Sequence, residues 1–195
     1  MQSEQLSRRG LLFGAAAAIV LLPVDAQAAD KRAKAKRYRL NTPGSGIDTG
    51  GAVILVEAPM DAVLKVVQDY RQYRKILPRL QQSRVLKRHG GKTDVYLRAP
   101  ILHGAVSIWG VARFGQPKPW RKYGKILEGK LVKGNLNAWQ GRWKMLPKGP
   151  NRTALWLEMF VDPKFPMPDA WITPELMWAS DKGVTAVRDM AEGRA

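Results

Sequence analysis

The stretch "VILVEAPMDAVLKVVQDYRQYRKILP", residues 53–78, decides how the chain is organised. The run 52–58, "AVILVEA", is short and rich in β-branched residues, and Pro59 follows it closely. That pattern suits a strand giving way to a helix with proline in its first turn. Beyond Pro59 the apolar residues Val63, Val66, Val67 and Tyr70 keep the spacing of one helical face. Tyr73, Ile76 and Leu77 continue it as a second short helix until Pro78 stops it. The segment therefore reads as one strand followed by two short helices.

Downstream the apolar period drops to two. "SRVLKRHGGKTDVYLRAP" (83–100) places a His-Gly-Gly turn between two alternating runs. "GAVSIWGVARFG" (104–115), "GKILEGKLVKG" (124–134), "NAWQGRWKML" (137–146) and "RTALWLEMFV" (152–161) follow, each bounded by Gly, Pro or Asn. These six runs between Leu80 and Asp162 predict an antiparallel meander. After it, Thr173 as N-cap and Pro174 as first helical residue would place Leu176, Ser180, Val184, Val187 and Ala191 on one face of a long helix. The fold class is α+β: a curved antiparallel sheet of about seven strands wrapped around a C-terminal helix, the surface left to cover it. A strongly bent sheet around a single helix leaves a cavity.

Upstream, Ser7-Arg8-Arg9 precedes an apolar run from Gly10 to Leu22 and the small-x-small site Ala26-Gln27-Ala28. Residues 1–28 read as an export signal, because the run is shorter than the roughly 20 residues a membrane span needs. The paired arginines favour the twin-arginine route over the general secretory one, although Leu11 stands where that motif prefers phenylalanine and no lysine follows. An exported, periplasmic protein is the expectation. Residues 29–50 read as a basic, flexible lead-in: the arm carries Lys31, Arg32, Lys34, Lys36, Arg37 and Arg39, and "NTPGSGIDTGG" is rich in turn formers. The arm is either a solvated linker or a membrane-docking segment. The folded domain is expected over 51–193.

The chain has 195 residues, 45% hydrophobic, enough for one packed domain. Its net charge of +17 points to anionic partners. Export makes nucleic acid a poor candidate and an anionic membrane surface a better one. With no cysteine, disulfides, thiolate nucleophiles and cysteine-bound zinc are excluded. Nothing in the sequence addresses oligomeric state.

At this point the chain resembles the START-like superfamily with the helix-grip fold (SRPBCC), which includes polyketide cyclases, coenzyme Q-binding proteins and lipid-transfer domains. The resemblance covers about residues 50–192. It rests on the stretch 53–78, with its Ala-Pro helix start, Asp-Tyr pair and terminal Leu-Pro, and on "QQSRVLKR" (81–88) as second strand. "GRWKMLP" (141–147) is similar to the family's Gly-x-Trp-x-Leu-x-Pro strand, and "VDPKFPMPDAWI" (161–172) to the turn before its last helix. The resemblance implies a domain that holds a hydrophobic small molecule or lipid under the C-terminal helix.

Motifs for catalysis are scarce. Gly-x-Ser-x-Gly, His-Glu-x-x-His and a phosphate loop ending in Gly-Lys-Ser/Thr are all absent. "GSGIDTGG" (44–51) lacks the third glycine of a dinucleotide fingerprint, and its Asp48-Thr49-Gly50 has no second copy to share a proton as aspartic proteases require. His89 and His103 each stand beside glycine and read as turn histidines. Glu57, Glu128 and Glu158 fall in predicted strands. In "LWLEMFV" alternation sets Glu158 opposite Leu155, Leu157 and Met159, so with the leucines inward it points to solvent. No cofactor, metal or catalytic residue is expected. An enzymatic alternative, a cyclase or dehydratase using the same cavity, would need Tyr96, His103 or Glu128 to point inward.

The aromatic and methionine residues carry the binding hypothesis. In "NAWQGRWKM" Trp139, Gly141, Trp143 and Met145 share one face, so both tryptophans point inward. The Pro-Met-Pro turn and Trp171 stand where the last strand passes to the helix, at the mouth of the expected cavity. The candidate lining is Trp139, Trp143, Leu157, Met159, Met167, Trp171, Met177 and Val184.

Overall fold

The computed structural model describes residues 34–101, 106–165 and 167–194. The export signal, Lys31, Arg32 and His103 lie outside the described residues.

Nine strands and three helices follow one another along the described chain. They are β1 (Lys36–Leu40), β2 (Thr49–Val56), α1 (Met60–Gln68), α2 (Tyr73–Ile76), β3 (Gln82–His89), β4 (Lys92–Ile101), β5 (Val106–Phe114), β6 (Lys118–Trp120), β7 (Gly124–Gly134), β8 (Leu136–Gly149), β9 (Arg152–Pro163) and α3 (Asp169–Ala191). A short 3₁₀ turn, Tyr70–Gln72, joins the first two helices. Pro59 sits one place before α1, where its carbonyl accepts the Ala62 and Val63 amides at 3.0 and 3.2 Å. A proline needs no amide partner there.

All strand pairs are antiparallel, in the order β1-β2-β9-β8-β7-β5-β4-β3, with the short β6 added beside β7. Consecutive strands of the meander are neighbours, as the period-two runs and their turn residues predict. The β3–β4 turn is made by Gly90 and Gly91, both at positive φ (51° and 71°), the geometry a two-residue hairpin needs. The curved sheet around a long C-terminal helix is the START-like helix grip.

Three expectations are corrected. The lead-in 29–50 is not flexible throughout, because Lys36–Leu40 forms β1, paired with β2 from Lys36↔Val53 to Leu40↔Thr49. Arg37 is tied to Asp181 of α3 at 2.6 Å, and Arg39 lies 3.9 Å from Asp48. The last helix begins at Asp169, not Thr173, so Pro174 lies inside it. The Thr173 hydroxyl caps no helix; it accepts the Asp48 amide at 3.1 Å and ties the loop before β2 to α3. Finally, Thr49 and the two glycines after it belong to β2 rather than to a turn.

α3 packs on β1, β2 and β9 and on both short helices. Gly50 makes the close approach possible, since a Cβ there would lie 2.5 Å from Leu176 Cβ and from the Met177 amide. Ser180 donates to the Gly50 carbonyl at 3.2 Å in the same place. Val63, Val67, Tyr73 and Ile76 from the short helices, Leu127, Trp143, Met145, Leu155 and Leu157 from the sheet, and Val184 and Val187 from α3 make a fully packed core. Fully burying one such aliphatic side chain contributes about 1.5–3 kcal/mol.

Candidate ligand-binding cavity

The cavity lies where this packing runs out. α3 rests on β2 and β9, at one side of the sheet. On the facing side the inner residues of β4 and β5 include Leu97, Ala99, Ile108, Gly110 and Ala112, several of them too small to reach the helix. A space of about 840 Å³ remains, within the range of small-molecule sites. Leu77 and Leu80, on the link from α2 to β3, close one flank. Leu131, Leu136, Trp139, Met159 and Val161 form the far wall, and Phe165, Met167, Trp171, Ile172, Leu176 and Ala179 form the side toward the helix.

Polar side chains reach this wall only at its edge: Arg79, Gln81 and Glu175, among the described residues. Arg79 pairs with Glu175 at 3.1 Å and lies 4.9 Å over the Trp178 ring, with both charged side chains about half exposed. The link after α2 is thereby fastened to α3 across the rim. Trp171 stands beside it with 62% of its surface exposed, a large apolar group left facing water.

The eight sequence-derived lining residues fall into two groups. Trp139, Met159, Met167 and Trp171 lie along the cavity wall. Trp143, Leu157 and Val184 do not; they are buried in the packed half of the core, and Met177 lies half-buried on α3 away from the wall. Alternation along β8 puts Trp139 and Trp143 on one face, but four residues along a strand is roughly 13 Å, enough to pass from cavity to core. Trp143 donates through Nε1 to the Tyr73 hydroxyl at 3.1 Å, which donates in turn to the Val67 carbonyl at 2.8 Å. Burial and the neighbouring Tyr70 push the Tyr73 hydroxyl well above its ordinary pKa. The wall from β4 and β5 was not expected. Its signal was the run of small inner-face residues, Ala99, Gly110 and Ala112, where a filled core would carry larger ones.

Of the residues an enzymatic reading needed, Tyr96 and Glu128 are described, and both face elsewhere. Tyr96 alternates with the inward Val95 and Leu97, stacks on Trp109 at 6.1 Å and receives Arg84 over its ring at 5.2 Å, on the outer face. Glu128 is also on that face, opposite Arg142 in register and 3.8 Å from Lys118. His89 ends the β3–β4 hairpin, with Nε2 3.3 Å from Asp94. Glu57 accepts from Arg152 at 3.0 Å. Glu158 has its expected direction but not its expected exposure, being only 3% exposed. Lys144 and Arg142 approach it at 2.5 and 3.3 Å, and Tyr38 of β1 donates to it at 3.0 Å. The strand missed in the sequence is what covers it. Tyr38 crosses Gly51 to get there: a Cβ on Gly51 would meet its ring at 2.6 Å. No cluster of three or more metal-ligating side chains occurs among the described residues. None of the described helices is long and apolar enough to cross a membrane.

A helix-grip domain with a largely apolar cavity beneath its last helix is the class these features define. The chain belongs to the family described as polyketide cyclase/dehydrase and lipid transport, whose model matches residues 56–188. Among solved structures it is similar to a STAR-related lipid transfer protein from Xanthomonas axonopodis, with 18% identity, 84% of this chain and 97% of that one covered, and a TM-score of 0.71. It is also similar to human StAR-related lipid transfer protein 5 (9% identity, 82% and 83% covered, TM-score 0.68). The Zhui aromatase/cyclase from Streptomyces sp. R1128 matches at 19% identity, with 75% and 94% covered and a TM-score of 0.59. No curated protein matches the chain.

Proposed function

We propose that this protein is a non-catalytic carrier that binds a lipid or another hydrophobic small molecule in its cavity. The observation that carries the reading is the cavity itself: about 840 Å³, walled by aliphatic, aromatic and methionine side chains, with its charged groups confined to the rim. Binding would draw on apolar burial, worth about 25 cal/mol for each Å² removed from water. The names of the structural neighbours, lipid transfer proteins and an aromatase/cyclase, agree with a hydrophobic ligand. The outward positions of Tyr96 and Glu128 favour carriage over a cyclase or dehydratase reaction.

Export to the periplasm forms part of the proposal and rests on the sequence of residues 1–28. So does attraction to anionic membranes, which rests on the net charge of +17. Within the basic arm, Arg37 and Arg39 are engaged by acidic partners, so Lys34 and Lys36 are the described cations it can offer to a surface.

Purifying the protein from its native host and identifying co-extracted small molecules by mass spectrometry tests the reading. A hydrophobic molecule at near-equal molar amount, displaced by an apolar probe, is the expected result. An unaltered ligand-free protein that no apolar probe enters would reject it. Conversion of the bound molecule during incubation would replace carriage with catalysis.

A further inference from the structure

At the opposite end of β4 from the cavity the chain forms a second concavity, of about 500 Å³. It is bounded by the β3–β4 hairpin from Arg88 to Thr93, by Gln68 at the end of α1, by Tyr70, and by Gly115 and Gln116 after β5. The tight Gly90-Gly91 turn sets Arg88 opposite the buried Thr93, on the inner face with Tyr70, and pairs His89 with Lys92 on the outer face.

Two features separate this groove from an ordinary basic loop. First, its charge is not neutralised. Among the described residues no carboxylate lies within ion-pair distance of Arg88 or Lys92, and the nearby Asp94 is taken up by Arg113 and His89. Second, Tyr70 carries an unused donor. The residue is only 3% exposed and its ring stacks on Phe114 at 4.6 Å, yet its hydroxyl has no hydrogen-bond partner among the described residues. The hydroxyl opens into the groove, unlike that of Tyr73 three residues on, which is sealed in the core and donates to Val67. Tyr70 lines the groove. Burial pushes its pKa up to about 12, against the pull of Arg88, so the hydroxyl keeps its proton and can donate.

We propose that this groove binds a phosphate-bearing anion, with the Tyr70 hydroxyl donating from its floor and Arg88 supplying the charge. A phosphate presents several acceptor oxygens at once, which suits a planar guanidinium and a hydroxyl in a groove that Gln68 and Gln116 also line. A soluble phosphate and the phosphate of a lipid headgroup share that chemistry. The site stands apart from the cavity: Tyr70 and Phe114 lie between it and Trp139 of the cavity wall, whose ring is 6.0 Å from that of Phe114. It does not depend on the carrier reading.

Calorimetric titration of the purified protein with inorganic phosphate, at constant ionic strength, tests the groove. Saturable binding is expected. Tyr70→Phe keeps the ring stack and should weaken binding roughly tenfold or more, the loss of one hydrogen bond to a charged group. Arg88→Ala should abolish it, while Lys118→Ala with Lys122→Ala should leave it intact. Apolar-probe binding in the cavity should be unchanged in Tyr70→Phe, showing an intact fold. Absence of saturable phosphate binding overturns the proposal, as does equal weakening by the Lys118 and Lys122 substitutions. A second arm uses vesicles of zwitterionic lipid with added phosphatidic acid, compared with zwitterionic vesicles alone. Vesicle binding that Tyr70→Phe weakens and phosphate competes away assigns the groove to a headgroup; vesicle binding indifferent to both, beside sensitive phosphate binding, assigns it to a soluble phosphate.

Discussion

The indole of Trp143 donates to the hydroxyl of Tyr73 at 3.1 Å, joining the middle of β8 to the second short helix. Both residues are buried, and the Tyr73 hydroxyl donates in turn to the Val67 carbonyl at 2.8 Å. Tyr73→Phe keeps the ring but leaves an indole N–H and a carbonyl without their partner, a loss of about 1–3 kcal/mol. Urea unfolding should show that drop while binding of an apolar probe stays unchanged, because neither residue lines the cavity.

Trp139 should behave in the opposite sense. It is a half-buried wall residue, so Trp139→Ala should weaken saturable binding of an apolar probe more than it lowers stability. Leu157→Ala, in the packed core, should cost about 2–5 kcal/mol of stability and affect the probe little. Paired unfolding and fluorescence titrations measure both. Equal effects at the two positions would mean that wall and core are not separate.

Glu158 is held by two cations and a tyrosine on the outer face. Glu158→Ala would strand Lys144 and Arg142 in a partly buried setting, at a cost of about 3 kcal/mol or more, typical of breaking a buried pair from one side. Tyr38→Phe should cost less. Thermal unfolding of the two variants orders them.

Acid should act through Asp94. Arg113 donates to it twice, at 2.7 and 2.8 Å, and this hydrogen bonding, helped by His89, lowers its pKa to about 2. A pKa that is lower folded than unfolded gives stabilisation that is complete above the unfolded value near about 4 and is lost as pH falls toward the folded one. Asp94→Asn should therefore lower Tm at neutral pH, and the gap from the parent protein should narrow between about pH 4 and 2. A gap that persists to pH 2 would show the fork adds nothing.

Periodicity carried most of the fold, and long-range contact carried the rest. The change from helical spacing at Val63–Tyr70 to alternation after Leu80 marks real boundaries. β1 was missed because "KRYRL" has too many charges to resemble a strand, and what makes it one is a partner, β2, and an ion pair from Arg37 to Asp181. β6 was missed because it is three residues long and contains Pro119. The start of α3 was misplaced because Pro174 has the look of a first helical residue, whereas the turn beginning at Asp169 precedes it. For the site, alternation told which face a residue occupies but not how far along the strand the core ends, which is why Trp139 and Trp143 part company. Small residues across the sheet at Ala99 and Ala112 hold that information, and it becomes readable only once β4 and β5 are known to face the helix.

The pairing of β2 with β9 bears on how the chain reaches this state. Ala52 lies opposite Leu157, so the first half of the sheet's centre waits for a strand made after every other. The hairpins from β3 to β8 can assemble early from neighbours in sequence, but the sheet cannot close until β9 arrives. Contacts this distant in sequence slow folding. Until then β2 is an open edge of Val53, Ile54, Leu55 and Val56, an aggregation-prone segment whose protection during synthesis depends on how soon its distant partner docks.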